Sequence, residues 1–432
     1  MFDAMTYQSP ISPGYSWYEA TVGERPEYPA FKGNENCDVA IIGGGFTGLG
    51  AAVHLAKAGL RVILLEAHRF GDGASGRNGG QLNTGQRSHA EDHEKALGFE
   101  RAKALFDIAE EAKHHLLSFA EDNNIDIEYQ KGHMSVAHKK RYVKDYEEHP
   151  IAMAERFGYK HLHFMDAAET AERLGSSRYY GGTYDSETGH IHPLKLVVGT
   201  ARVAAQNGAQ LHENSPVTDL RHESGKTIIK TAAGQITADR VLLAVNAYGS
   251  EKLEPQTASH IMPIRSFIGA TAPLGDADVL RGGESVDDSR FVVRYFRKSK
   301  DGRLIFGGRE AYTADNPGDI SKHIRKQIEE IYPALKDVEI THAWGGSVGI
   351  TLPREPFVRD VMPGVTAIGG YSGHGVMLSN FTGKLYAEAI TGNRDRLRYF
   401  RELKVPAFPG GRQFRKPLLT AALTWYAMLD KI

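Results

Sequence analysis

The chain has 432 residues, a length that accommodates two or three domain-sized cores. Hydrophobic residues make up 41% and charged residues 24%, the balance of a globular protein, and a net charge of −1 gives no reason to expect nucleic acid or an anionic membrane surface as a partner. The single cysteine, Cys37, excludes an internal disulfide and fits a reducing compartment.

The first residues, MFDAMTYQSPISPGYSW, carry neither a basic nor an apolar leader segment, so no signal peptide is expected. No apolar run approaches the roughly 18 residues that a membrane-crossing helix needs, and a cytoplasmic location is expected. Residues 1–36 read as an arm: Pro10, Pro13, Pro26 and Pro29 forbid regular helix, while Trp17, Tyr18, Tyr28 and Phe31 can dock it on the body.

Residues 38–66 organise the rest. An apolar run, 39–42, meets Gly43, Gly45 and Gly48 in G-x-G-x-x-G spacing. Small and apolar residues continue with helical period to Gly59, and a second apolar run, 61–65, stops on Glu66. Strand, glycine turn, helix, strand and acid in this register are what a dinucleotide requires. The turn lets backbone approach a pyrophosphate, the helix N-terminus offers free N–H groups, and the acid accepts ribose hydroxyls. Residues 71–81, GDGASGRNGGQ, hold five glycines in eleven positions and suit a backbone wrapped on a ligand.

Further along, 96–123 has helical period, 125–129 and 133–137 read as short strands, and 142–157 and 166–174 read as helices. His190 and His192 flank Ile191 and could share a strand face. No third ligand is spaced to complete a metal site, so a structural or substrate-proximal role is expected and no metal. A helix over 194–206, a strand at 210–213, a hairpin through Gly234 and a buried-type strand at 241–245 follow. Between 251 and 340, strand-like runs at 264–270, 291–296 and 303–307 alternate with turns, and 320–331 is an amphipathic helix; this block reads as a second, mostly antiparallel domain. A strand at 365–368 then runs into Gly369–Gly375 and a helix over 378–390. This second strand–glycine–helix unit disfavours a nicotinamide enzyme and suits a flavin dinucleotide, whose ring lies far from its adenine; a helix N-terminus aimed at the ring stabilises the anionic reduced form. An apolar helix around 418–429 closes the tail.

IIGGGFTGL at 41–49, the LEA and GASGRNGGQ stretches between 65 and 81, GHIHPL at 189–194, NAY at 246–248, GYSGHGV at 370–376 and FPGGR at 408–412 together resemble the D-amino-acid oxidase superfamily of FAD-dependent amine oxidoreductases. The resemblance spans almost the whole chain. It implies a Rossmann-like α/β FAD-binding domain with a glutathione-reductase-type parallel sheet, discontinuous over 37–92, 187–250 and 343–432. A mostly antiparallel α+β substrate domain would take 93–186 and 251–342. The cofactor-binding set it implies is Gly43, Gly44, Gly45, Phe46, Thr47, Gly48, Glu66, Ala67, Gly73, Ala74, Ser75, Arg77, Asn78, Gly79, Gly80, Gln81, Val217, Gly346, Gly370, Gly373, His374, Gly375 and Val376. His374 would lie beside the flavin ring, with Tyr371 and Trp344 as cavity walls. Relatives that tether FAD use a cysteine near the C-terminal motif; Cys37 lies elsewhere, so non-covalent FAD is expected.

The implied reaction is hydride transfer from the α-carbon of an amine to flavin N5. Hydrolysis to aldehyde and ammonia and release of hydrogen peroxide would follow, with γ-glutamylputrescine, an intermediate of putrescine breakdown, as the first-choice substrate. Another amine or amino acid (L-pipecolate, sarcosine, a D-amino acid) or a quinone acceptor remains the alternative, as does a flavin-bound protein without turnover. A γ-glutamyl substrate carries a carboxylate, for which Arg265, Arg294, Arg297 and Arg309 are candidate clamps. Monomer and homodimer are both open.

Overall fold

The computed structural model describes residues 7–311, 319–392 and 395–409. The strand before the first glycines runs Gly33–Ile42, and its closing residues Val39 to Ile42 are buried. It pairs in parallel with Val62–Leu65 on one side and Gly234–Leu243 on the other. Val62–Leu65 continues in parallel to Gln210–His212, and Gly234–Leu243 to Val365–Gly369. Phe357–Met362 closes that edge antiparallel, and Val217–Glu223 and Lys226–Thr231 fold back on Gly234–Leu243 as a ribbon, completing an eight-stranded sheet.

The first strand begins six residues earlier than its apolar run, because its polar half pairs residue by residue with the Gly234 strand, from Gly33 opposite Gly234 onward. Cys37 therefore lies inside the strand, buried, where burial raises its thiol to about 12. It does not precede the strand, and it is far from the C-terminal glycine loop in the fold.

The second sheet has ten strands in the order Gly14–Tyr15, Ile340–Ile350, Met262–Thr271, Leu304–Ala311, Tyr295–Lys298, Ser285–Asp288, Gln130–Val136, Gly182–His190 and Gln81–Leu82, with Leu162–Met165 also paired to Gly182–His190. It is antiparallel except where Ser285–Asp288 runs parallel to Gln130–Val136. Its two faces differ sharply. Met134, Val136, Val286, Phe296 and Phe306 join the helix Ile320–Ile331 in a separate apolar core, whereas His133, Ser135, Asp287, Tyr295 and Arg297 alternate with them and point the other way.

The structure revises several expected elements. The helix over 96–123 is two helices, Ala90–Leu97 and Phe99–Asp122, broken at Gly98. The residues 125–129 form no strand; pairing starts at Gln130. The arm contains a short helix, Trp17–Thr21, capped by Ser16, and an edge strand on Ile340–Ile350; Trp17, Tyr18 and Phe31 are buried. Ile340–Ile350 belongs to the ten-stranded sheet, so a domain boundary at 343 falls within a strand. The apolar tail at 418–429 and the end of FPGGR (Gly410, Gly411, Arg412) lie outside the described residues. Among the described residues no helix is long and apolar enough to cross a membrane.

The two glycine-led helices, Phe46–Lys57 and Val376–Thr391, pack directly on each other. A Cβ on Gly383 would strike the Thr47 carbonyl and lie 2.5 Å from the Ala51 nitrogen, and one on Gly50 would lie 2.5 Å from the Asn380 carbonyl oxygen. The obstacles are backbone and cannot rotate away. Gly383→Val is therefore expected to destabilise the protein by about 2–3 kcal/mol, the upper range for overpacking, measured by denaturant unfolding beside the wild type.

Candidate active site

Gly43 ends the first strand with φ +108°, and a Cβ there would lie 2.7 Å from the Ala244 carbonyl oxygen, so the sharp turn into the helix needs glycine. The helix opens at Phe46 on Gly45, which has no side chain of its own to cap it. A Cβ on Gly45 would meet Ser75 Oγ at 2.8 Å, and that hydroxyl accepts the Phe46 N–H at 3.0 Å. A Cβ on Gly48 would strike the Gly43 carbonyl, so this glycine sets the strand-to-helix contact. Glu66 ends the second strand beside the turn; its carboxylate accepts the Gly44 N–H at 2.7 Å and the His68 N–H at 3.0 Å, across Ala67. Burial raises its pKa against those two donors.

The glycine-rich loop is held from several sides. Asn78 donates to the carbonyls of Ala74 (3.0 Å) and Ser75 (2.9 Å) and accepts the Gly80 N–H (2.8 Å). Arg77 donates Nε to Gly345 O at 2.7 Å and Nη2 to the carbonyls of Pro13 and Gly14 at 2.8 and 2.9 Å, close under Gly346. Burial pulls its pKa down to about 10. Arg297 reaches across from the ten-stranded sheet to Gly79 O at 2.7 Å, and Gln81 donates to Val286 O at 3.3 Å. Gly73 stands against the Tyr248 ring.

The second glycine loop joins Val365–Gly369 to the helix Val376–Thr391, which opens on Gly375, again without a side-chain cap. Gly370 N–H is held by Asn246 Oδ1 at 2.8 Å. At Gly373 nothing lies within 4 Å of where a Cβ would be. His374 Nε2–H donates to Gly85 O at 2.9 Å, which leaves Nδ1 as an acceptor. Burial, then the positive Arg87, lowers its pKa to about 4, so it is neutral at pH 7. Asp287 and His133 also act on it, which brings the glycine loop, the 83–87 segment and the polar face of the ten-stranded sheet together.

The other expected site residues take definite places. Tyr371 is buried, its hydroxyl shared between Thr47 (2.8 Å) and Thr382 (2.5 Å), so it fastens the second loop to both helices. Trp344 is fully buried and donates its indole N–H to Arg77 O at 3.0 Å, which makes it a support beneath the first loop. Val217 starts its strand opposite Thr231, half-buried. His190 and His192 do not share a strand face: the strand ends at His190, which donates to Gly283 O at 2.9 Å, while His192 caps the helix Pro193–Gln206 and meets Thr21 Oγ1 at 3.1 Å. Of the candidate clamps, Arg265 is bonded to Ile11 O, Arg294 to Glu330 and Arg297 to the loop; the Arg309 side chain lies outside the described residues. Arg87, His133 and Asp287, which sequence reasoning passed over, are the charged and titratable groups whose fields reach His374.

The chain matches the family model described as DAO, FAD dependent oxidoreductase, over residues 38–389. The chain belongs to the FAD-dependent oxidoreductase family. It is 63% identical over 428 residues to "Probable oxidoreductase OrdL" of Rhizobium meliloti, covering 99% of this chain and 100% of that one. It is 34% identical over 421 residues to the gamma-glutamylputrescine oxidoreductase of Escherichia coli, covering 96% and 98%. The glycine oxidase structure from Geobacillus kaustophilus superposes with a TM-score of 0.72 at 22% identity, covering 83% of this chain and 95% of that one, a likeness of fold.

The site fits FAD. Two helix N-termini that open on glycine, the carboxylate of Glu66 beside the first, and space left open over Gly373 by the described residues are what its phosphates, ribose and ring need. Asn83 Oδ1 and Gln86 Oε1, buried on either side of Gly85, have no partner among the described residues.

Two outcomes follow from this geometry. With Cys37 locked in the first strand, acid precipitation of the holoprotein should release its FAD into the supernatant, and Glu66→Ala should lower the flavin content of purified protein at least tenfold by absorbance. Second, the folded chain keeps His374 neutral down to about 4, while the unfolded chain protonates near 6.5. The neutral form's stabilisation is therefore present above 6.5 and is lost as pH falls through that window. The stability gap between wild type and His374→Gln, read by denaturant titration, should be largest above pH 6.5 and shrink toward pH 4.

Proposed function

We propose that the protein is an amine oxidase whose substrate is γ-glutamylputrescine. The observation that carries this reading is the 34% identity to the gamma-glutamylputrescine oxidoreductase of Escherichia coli over nearly the full length of both chains. The polar sheet face whose field reaches His374 carries the anion Asp287, which gives the amino end of such a substrate something to meet.

FAD, when bound, supplies the acceptor for the hydride leaving the amine's α-carbon and the route of the electrons to oxygen, with hydrogen peroxide as product. The protein's part is positioning and electrostatics. An ammonium has no lone pair to stabilise a developing iminium, so the amine must be neutral when its C–H bond breaks. A neutral His374, its Nε2 tied to Gly85, places no positive charge beside that carbon. The iminium hydrolyses to aldehyde and ammonia.

Mixing the holoprotein anaerobically with γ-glutamylputrescine should bleach the oxidised flavin band, and admitting air should restore it with stoichiometric peroxide. Bleaching by L-pipecolate or sarcosine alone would replace the substrate and keep the chemistry. Bleaching without recovery in air would replace oxygen by another acceptor.

A further inference from the structure

Asp287 has an unusual place. Its neighbour Asp288 is consumed structurally by Tyr179 and Arg290. Asp287 points the other way, onto the sheet face that carries Arg297 and Tyr295 toward the Gly79 loop. His133 Nε2 stands 3.3 Å from its carboxylate, and His133 Nδ1 is held by Ser285 Oγ at 2.8 Å. Facing a carboxylate, Nε2 carries a proton and donates it to Asp287. Ser135, directly across the strand pair, donates as well. Between its two neighbouring strands the Asp287 side chain keeps 26% of its surface accessible, on the sheet face turned toward the glycine-rich loop. Burial pushes its pKa up, but His133, Ser135 and the positive Arg87 outweigh that and hold the carboxylate ionised, with its accessible side still turned to the site.

A buried anion braced from behind and open in front is a receptor for a cation. Its strand touches the glycine-rich loop through Gln81, whose amide donates to Val286 O, so the open side lies next to the flavin-binding segment. Resting on the reading above, we propose that Asp287, braced by His133 and Ser135, is the docking carboxylate for the reacting primary amine and the counter-ion of the iminium formed from it. The ammonium arrives on Asp287 and gives its proton to solvent. The α C–H bond then breaks, its electron pair leaving as hydride to FAD, while the nitrogen lone pair forms the C=N bond. The positive charge of the iminium is left facing the same carboxylate. The anion thus favours both cationic forms and orients the carbon between them.

The test compares two ligands on the holoenzyme: γ-glutamylputrescine, and γ-glutamylbutylamine, which lacks only the terminal amino group. Affinity for the first is read from anaerobic flavin reduction and for the second from perturbation of the flavin band. Asp287→Asn should weaken γ-glutamylputrescine by about 30-fold or more, the scale of losing a buried charge-assisted contact, and leave γ-glutamylbutylamine within about twofold. Asp287→Glu, which keeps the charge, should retain most of the preference. Equal losses for both ligands, or none, would overturn the proposal. If Asp287→Asn does not hold FAD, His133→Gln, which leaves the carboxylate in place, answers the same question through a several-fold loss confined to the amine-bearing ligand. Failure of the wild type to reduce with γ-glutamylputrescine would sink the substrate reading instead. Asp287 would then be judged with whichever amine does bleach the flavin, against its analogue lacking that nitrogen.

Discussion

The close crossing of two helices sets the rest of the site. Phe46–Lys57 and Val376–Thr391 lie far apart in the chain, yet Gly50 and Gly383 let their backbones meet without side chains between them. Tyr371 completes the joint, its hydroxyl held by Thr47 on one helix and Thr382 on the other. Each helix opens on a glycine, and beyond the Phe46 N–H that Ser75 accepts, each presents first-turn N–H groups and a partial positive charge. One joint therefore fixes where two anion-favouring ends stand relative to each other, and a ligand with a phosphate end and an electron-accepting end is what such a pair fits.

The glycine-rich loop that lies between them carries little stability of its own. Two buried guanidinium groups supply it: Arg77 donates to the carbonyls of Pro13, Gly14 and Gly345, and Arg297 to that of Gly79. Neither reaches a carboxylate in these contacts. Carbonyl dipoles satisfy their donors, and removing either side chain would leave buried backbone oxygens without partners. Trp344 holds the Arg77 carbonyl, and Tyr18 holds Arg297 while sitting against Trp344. The N-terminal arm is thus part of the cofactor cradle, because two of the carbonyls that neutralise Arg77 and the ring beside Trp344 all come from it.

What could be read from the amino acids divides along one physical line. Features set by local sequence were legible: the strand–glycine–helix–strand–acid unit, the second glycine loop, and the helix Ile320–Ile331 with its row of buried isoleucines. Features set by distant pairing were not. The strand Ser285–Asp288 is not among the expected strands; it is fixed between Tyr295–Lys298 on one side and, in parallel, a segment about 150 residues earlier on the other. The first strand's polar half is extended for the same reason, and so Cys37 is inside it. Arginines were similarly opaque: four were candidates for a substrate carboxylate, and three of them are bound to backbone or to a surface acid, while Arg87 is the one whose charge falls on His374.

That line also explains why the chemistry is harder to read than the fold. In the ten-stranded sheet alternate residues serve opposite purposes. Val286 and Phe296 build a core with the isoleucine helix, while Asp287 and Tyr295, one residue along, face the dinucleotide unit. The apolar set tolerates substitution as long as volume is kept, and its pattern is therefore regular. The polar set answers to a ligand, so it has no period and gains its meaning from neighbours elsewhere in the fold: His133, Ser135 and Arg87 together keep Asp287 ionised against burial. A single-residue slip of Ser285–Asp288 would bury the carboxylate in the apolar core and turn Val286 into the site. The register is consequently enforced by the core face, and the packing of Val286 against Met134 and Phe296 is what keeps the carboxylate on the face turned toward the glycine-rich loop.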